Sequence, residues 1–153
     1  MTIKEARKLY VTTCETKQKL ENDFGKKIIS DKVTERVKTY EDCCEEIGET
    51  PVDIEVLRRS GLTEDEIAYR MLKTVTRVIN EGWMPDMLDT DEYKWYPYFK
   101  VDPSSPSGFA FDAADYDYSD AGAGDASRLC FKSEADAIFA GKTFIDLYIK
   151  FIK

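Results

Sequence analysis

Near residue 93 the apolar residues change period, from the three-to-four spacing of a helix face to the strict alternation of a strand. That switch limits the fold more than any other feature of the chain. Before it, apolar runs are punctuated by helix caps. Thr2-Ile3-Lys4-Glu5 is a capping box, and Ile3, Ala6, Leu9, Tyr10, Leu20 and Phe24 keep helical spacing up to Gly25. Residues 26–32 then connect to a stripe of Val33, Val37, Tyr40, Cys44 and Ile47, which predicts one helix over 33–47 ended by Gly48. Thr50-Pro51 reads as a cap followed by proline at the first helical position, opening a short helix to Arg59. Thr63-Glu64-Asp65-Glu66 is a second capping box, set before Ile67, Met71, Leu72, Val75, Val78 and Ile79, with Gly82 and Pro85 as the stop. Residues 2–82 are therefore expected as three longer helices and one short one.

After the switch, Tyr93, Trp95, Pro97, Phe99 and Val101 alternate with Lys94, Tyr96, Tyr98 and Lys100, the mark of a strand. Pro97 has no N–H to donate, so this strand belongs at an edge or points outward there. Residues 102–108 form a turn, Phe109–Phe111 and Tyr116–Tyr118 are weaker strand candidates, and 120–125 is a loop rich in glycine and alanine. Residues 127–132 alternate again, with Leu129 and Phe131 on one side and Arg128, Cys130 and Lys132 on the other. Ser133 caps a last helix to about Ile152, apolar along two stripes, which suits packing on the sheet and on the earlier helices, or a dimer contact on one side. The expectation is a single α+β domain over 1–153. Residues 1–85 form its helical part, and 93–153 form an antiparallel sheet of three to four strands with the C-terminal helix packed on it.

Composition removes several functions. The chain has 22 cations against 30 acids, a net charge of −8, and no histidine. Phosphate contact needs a cationic footprint, so nucleic acid is not an expected partner. Without imidazole there is no Ser-His or Cys-His nucleophile pair and no zinc site built on histidine. Cys14, Cys43, Cys44 and Cys130 show no C-x-x-C spacing and are read as reduced, mostly buried thiols of a cytoplasmic protein. The N-terminus lacks a signal-peptide core, and the apolar tract 135–152 is interrupted by Asp136, Lys142, Asp146 and Lys150, so no membrane span is expected.

Each candidate for chemistry meets a plainer reading. Asp112, Asp115, Asp117, Asp120 and Asp125 are dense in carboxylate but fail the calcium-loop pattern, which wants glycine sixth and glutamate twelfth; a solvated loop is preferred and no metal is expected. Gly122-Ala123-Gly124 lacks the third glycine of a dinucleotide fingerprint and precedes a strand, so no cofactor is expected. The helix over 63–81 presents three acids at its start, unlike a recognition helix. Cys130 lies between Arg128 and Lys132 but has no base to activate it, and carboxylate pairs such as Asp42 with Glu45 or Glu46 read as solvated helix surface. The aromatics are the strongest surface candidate. Single-strand binders stack bases on such platforms, yet residues 93–132 carry four cations against six acids. The candidate surface is therefore a protein-contact patch of Trp95, Tyr96, Tyr98, Tyr116, Tyr118, Arg128 and Lys132.

Several runs, taken together, resemble a known group. They are Trp95-Tyr96-Pro97-Tyr98-Phe99, Ser107-Gly108-Phe109, Ser127-Arg128-Leu129-Cys130-Phe131-Lys132-Ser133 and Ala140-Gly141-Lys142-x-Phe144. Arg36-Val37-Lys38-Thr39-Tyr40-Glu41-Asp42 and Asp65-Glu66-Ile67-Ala68-Tyr69-Arg70 join them. The chain resembles uncharacterised small proteins encoded by gut bacteria, their phages and other mobile elements, and Arg-Leu-Cys-Phe-Lys-Ser is the most specific part of the likeness. The resemblance implies a phage- or mobile-element-linked context and transfers no catalytic residue. The expected function is a non-enzymatic protein-interaction or assembly module, with a protein partner or self-association. The rivals are an acidic decoy that occupies a nucleic-acid-binding host protein, and an enzyme with an unrecognised carboxylate site.

Overall fold

A computed structural model of the chain describes Glu5, residues 19–23, Gly25, Ser30, residues 32–118 and residues 128–153. Its contacts divide the chain into two compact units, Met1–Pro51 and Val52–Lys153. Much of the first expected helix, the connection 26–29, Cys14 and the loop 120–125 lie outside the described residues; Glu5 and residues 19–23 are helical as expected.

In the first unit the stripe over 33–47 is carried by two helices, α1 (Val33–Arg36) and α2 (Tyr40–Ile47). The single helix expected there is broken at Val37, whose φ of −104° and ψ of 132° are extended. A reciprocal cap causes the break. The Asp42 amide donates to Thr39 Oγ1 at 3.1 Å, while the Asp42 carboxylate accepts from the amides of Lys38 and Thr39 at 2.9 and 3.1 Å. Three backbone donors that an unbroken helix would bond internally are satisfied this way, so Thr39 starts a new helix. Gly48, at φ 72°, ends α2 as expected. Arg36 on α1 lies buried against Glu46 on α2, with Nη2 to Oε1 at 2.6 Å and Nε to Oε2 at 3.2 Å. Its Nη1 donates to the Ser30 carbonyl at 2.9 Å.

The second unit opens with α3 (Ile54–Arg59). Its cap is Asp53, which accepts from the Val56 amide at 3.1 Å, and not the expected Thr50. A carboxylate one residue ahead of the helix reaches the third amide directly, so Pro51 stays outside. Arg58 then ties α3 to α4 (Glu64–Ile79), with Nη1 to Glu55 Oε1 at 2.6 Å and Nη2 to Glu64 Oε2 at 3.0 Å. At the head of α4, Glu66 Oε2 accepts from the Thr63 amide and hydroxyl at 2.8 and 3.0 Å, as the sequence box implies. The apolar face from Ile67 to Ile79 is buried. Past α4, Glu81 and Gly82 both take positive φ, 50° and 90°, inside a turn closed by the Trp83 amide on the Asn80 carbonyl at 2.9 Å.

β1 (Lys94–Val101) and β2 (Phe109–Asp117) form a two-stranded antiparallel sheet in which Trp95 faces Tyr116, Pro97 faces Ala114 and Phe99 faces Phe111. The two weak strand candidates are thus one strand, kept in register by a bulge between Tyr98 and Phe99 that leaves Asp112 without a partner position. Among the described residues a sheet of three to four strands is not found. Phe131 joins β1 only as a single bridge, its amide and carbonyl exchanging bonds with those of Trp95 at 2.6 and 3.0 Å. The reason lies at both ends of that bridge. Two residues along β1, Pro97 has no N–H to continue the ladder; two residues past Phe131, Ser133 is already the helix cap, accepting from the Asp136 amide.

The expected C-terminal helix is two helices, α5 (Glu134–Thr143) and α6 (Ile145–Ile152), which meet at Phe144 with φ −110° and ψ 28°. The kink lets the two halves of the expected helix find different surfaces: α5 packs on both strands and α6 packs on α4. Helix α5 sits so close to the sheet that a Cβ on Gly141 would fall 2.6 Å from the Phe111 ring and from Pro97 Cβ. Among the described residues no helix is long and apolar enough to cross a membrane.

Candidate functional site

The sheet's alternation decides which candidate residues meet. Trp95, Pro97 and Phe99 share a face with their register partners Tyr116, Ala114 and Phe111. The middle of this face is covered by Gly141 of α5, and Phe99 also meets Tyr148 of α6 with ring centroids 5.2 Å apart. At the open end of the hairpin, four rings gather. Trp95 and Tyr116 lie 4.8 Å apart, Tyr93 and Tyr116 4.9 Å, and Tyr93 and Tyr118 5.7 Å. The contacts are edge-on or tilted apart from a near-parallel pair, Tyr93 with Trp95 at 6.3 Å, which are arrangements that ring quadrupoles favour. Tyr93, Tyr116 and Tyr118 remain 51%, 41% and 50% exposed.

The rest of the expected patch falls elsewhere. Tyr96 and Tyr98 point from the opposite face of β1, opposite Asp115 and Ala113. Arg128 is exposed in the turn before Leu129, and Lys132 pairs with Glu81 Oε2 at 3.6 Å. Three of the seven expected residues, Trp95, Tyr116 and Tyr118, are therefore brought into one cluster. Tyr93 completes it. The clue was present, because a residue two before Trp95 has the same parity, but it precedes the strand and needs its own support.

That support is a buried lysine. Lys94, expected as a solvent-facing residue of an alternating strand, is 2% exposed and donates its ammonium to the carbonyls of Asp89 and Glu92 at 2.8 and 2.9 Å. The Glu92 carboxylate lies 3.8 Å from the ammonium and accepts from the Trp83 indole at 3.1 Å and the Asp86 amide at 2.7 Å. A charged group this buried persists only when its donors are satisfied, so the segment 86–93 is wrapped onto Lys94 and delivers Tyr93 to the cluster. The opposite side of β1 is held by Asn80 at the end of α4. Its Nδ2 donates to the Cys130 carbonyl at 2.9 Å and its Oδ1 accepts from the Lys132 amide at 3.2 Å, which clamps the strand-like segment carrying Phe131 against Trp95.

The remaining chemistry is muted. Burial pushes the Cys130 thiol up to about 11, with the Glu92 carboxylate acting in the same direction and Lys94 and a backbone bond opposing. Burial likewise raises Cys43 to about 12, helped by Cys44, Asp42, Glu46 and Glu41. Thiols held protonated at neutral pH are poor nucleophiles. Asp112, Asp115 and Asp117 lie along β2 and not in a loop, with Asp112 3.3 Å from Lys100; Asp120 and Asp125 lie outside the described residues. Among the described residues no group of three or more carboxylates or thiols is placed to hold a metal ion. The turn 102–108 that joins the strands is built on Asp102, whose carboxyl is held below the usual range by bonds from the Ser104 hydroxyl and amide. Comparison with family models, curated proteins and solved structures gives no match.

Proposed function

We propose that this chain is a non-enzymatic protein-interaction module, acting in the cytoplasm and belonging to a phage or mobile element. The four-ring cluster of Tyr93, Trp95, Tyr116 and Tyr118, whose three tyrosines are exposed, carries the reading. Clustered aromatics at the end of a hairpin are costly to leave in water, and rings of this kind dominate the energy of protein interfaces. The protonated thiols and the lack of histidine support the non-enzymatic half of the proposal. The phage or mobile-element link rests on the sequence resemblance.

Crosslinking of the full chain in its source cells tests it. A discrete partner, or a second copy, should be captured through the cluster and lost in a Tyr93→Ala/Tyr116→Ala double variant that melts like the wild type. A chain that sediments as a monomer and captures nothing would sink the proposal. A second reading, the acidic decoy, is favoured by the net charge of −8 and by the run of acids over residues 86–92 that leads into the same rings. It requires the captured partner to be a nucleic-acid-binding protein that nucleic acid displaces.

A further inference from the structure

We infer that copies of this chain bind one another through the loop 83–92, which docks on the α4–α6 surface of a second copy. The loop is closed on itself. The Glu92 carboxylate takes the Trp83 indole and the Asp86 amide, Lys94 holds the Asp89 and Glu92 carbonyls, and the Asp89 amide donates to the Asp86 carbonyl at 3.2 Å. With these bonds made, the loop leaves its apolar side chains in water. Leu88 is 91% exposed, more than any other large apolar residue described, Met84 is 75% exposed, and Met87 is exposed as well. Compact loops closed by their own side chains often carry function, and clustered apolar groups left in water mark a contact surface.

Charge selects the occupant. Asp86, Asp89 and Asp91 flank Leu88 in sequence, and among the described residues no cation pairs with any of the three. Asp86 and Asp89 accept only the amides of Leu88 and Asp91, each at 2.9 Å. Glu92 does not count with them, since Lys94 lies 3.8 Å away. An apolar knob with three uncompensated carboxylates fits an apolar surface edged by free cations, and the chain has one. The Tyr69 ring of α4 stacks on the Phe151 ring of α6 with centroids 5.7 Å apart, both half-buried, and Ile152 is exposed next in sequence. Lys73 lies 4.8 Å over the Tyr69 ring and Arg70 is exposed one residue on, neither of them paired with an acid. Acids of one copy then meet cations of the next, and Met84, Met87 and Leu88 meet the ring pair. Loop and receiving surface are unlike, so the contact is heterologous. The net charge of −8 repels copies at long range, a term that salt of about 0.15 M screens beyond about 8 Å.

Sedimentation velocity of the full chain over a concentration series tests the assignment. The wild type should associate with a Kd of about 100 μM or lower. A loop variant, Leu88→Ser/Asp91→Asn, and a helix variant, Arg70→Glu/Lys73→Glu, should each weaken association by about ten-fold or more. All four side chains are exposed, so both variants should melt like the wild type. An equimolar mixture of the two should recover association, because each copy keeps the surface that the other has lost. Tyr118→Leu, in the ring cluster, should leave it unchanged. A wild type that stays monomeric overturns the inference, even if residue 88 crosslinks to a different protein. So does wild-type association in either variant, and so does a mixture that associates no better than its components. The inference stands apart from the ring-cluster reading: copies that still associate in a ring variant that has lost its partner separate the two surfaces.

Discussion

Arg36 and Glu46 form a two-point pair whose side chains are 1% and 8% exposed, so neither charge has water to fall back on. Removing one partner strands the other. Glu46→Gln keeps the shape but leaves the guanidinium without its counter-charge, and should cost the first unit about 3–5 kcal/mol in denaturant unfolding. Replacing both residues, as Arg36→Met with Glu46→Leu, should recover most of that loss, because the desolvation penalty disappears along with the attraction. A double variant as unstable as the single one would show that the pair does more than neutralise itself. Tyr148 presents the reverse case. Its hydroxyl is buried without a hydrogen-bond partner among the described residues, and burial drives its ionisation far upward. Tyr148→Phe should therefore leave stability unchanged or raise it by about 1 kcal/mol, since the ring and its contact with Phe99 stay. A fall in melting temperature would mean that the hydroxyl is bonded in solution.

The contact between α5 and the sheet depends on one missing methyl. A Cβ at Gly141 would lie 2.6 Å from Phe111 and Pro97, where neither a ring packed edge-on against Phe99 nor a proline can yield freely. Gly141→Ala should lift α5 from the hairpin at a cost of about 1–3 kcal/mol, despite alanine's better helix propensity. A stabilised variant would mean that the sheet gives way instead. Such a contact is not written in local sequence: Gly141 stands inside a helical pattern, and only the register of β1 and β2 reveals what it meets. Elements whose limits are local were legible. The box Thr63 to Glu66 and the period from Ile67 to Ile79 mark α4, and Gly48 marks the end of α2. Thr39 to Asp42 is also a cap in the sequence, but an apolar stripe that runs unbroken from Val33 to Ile47 hides it, because both helices bury that same stripe. The ring cluster was half legible for a similar reason. Parity separates Trp95 from Tyr96 and Tyr98, but Tyr93 joins only through the long-range burial of Lys94, and alternation reads that lysine as solvated.

At the scale of the whole chain, the two compact units each hold a buried thiol with a raised ionisation, Cys43 at about 12 in Met1–Pro51 and Cys130 at about 11 in Val52–Lys153. Both start from an ordinary value of 9.0. Below that value folded and unfolded chains both keep the proton, so the thiols leave stability flat with pH. Above it the unfolded thiol ionises while the folded one does not. The unfolded state then binds fewer protons, and stability falls by about 1.4 kcal/mol per pH unit for each thiol until the folded value is reached. The sequence supplies a way to read the units apart, since its 2 tryptophans, Trp83 and Trp95, both lie in the second unit. Denaturant unfolding followed by tryptophan fluorescence between about pH 8 and about pH 10.5 should therefore lose part of its alkaline slope in Cys130→Ala and keep it in Cys43→Ala. Alkylation of Cys44, buried in the first unit, should show the opposite pattern as a reporter of unfolding there. If Cys43→Ala flattens the tryptophan-detected slope as much as Cys130→Ala does, the units unfold as one body, and the division after Pro51 marks contact density without separate stability.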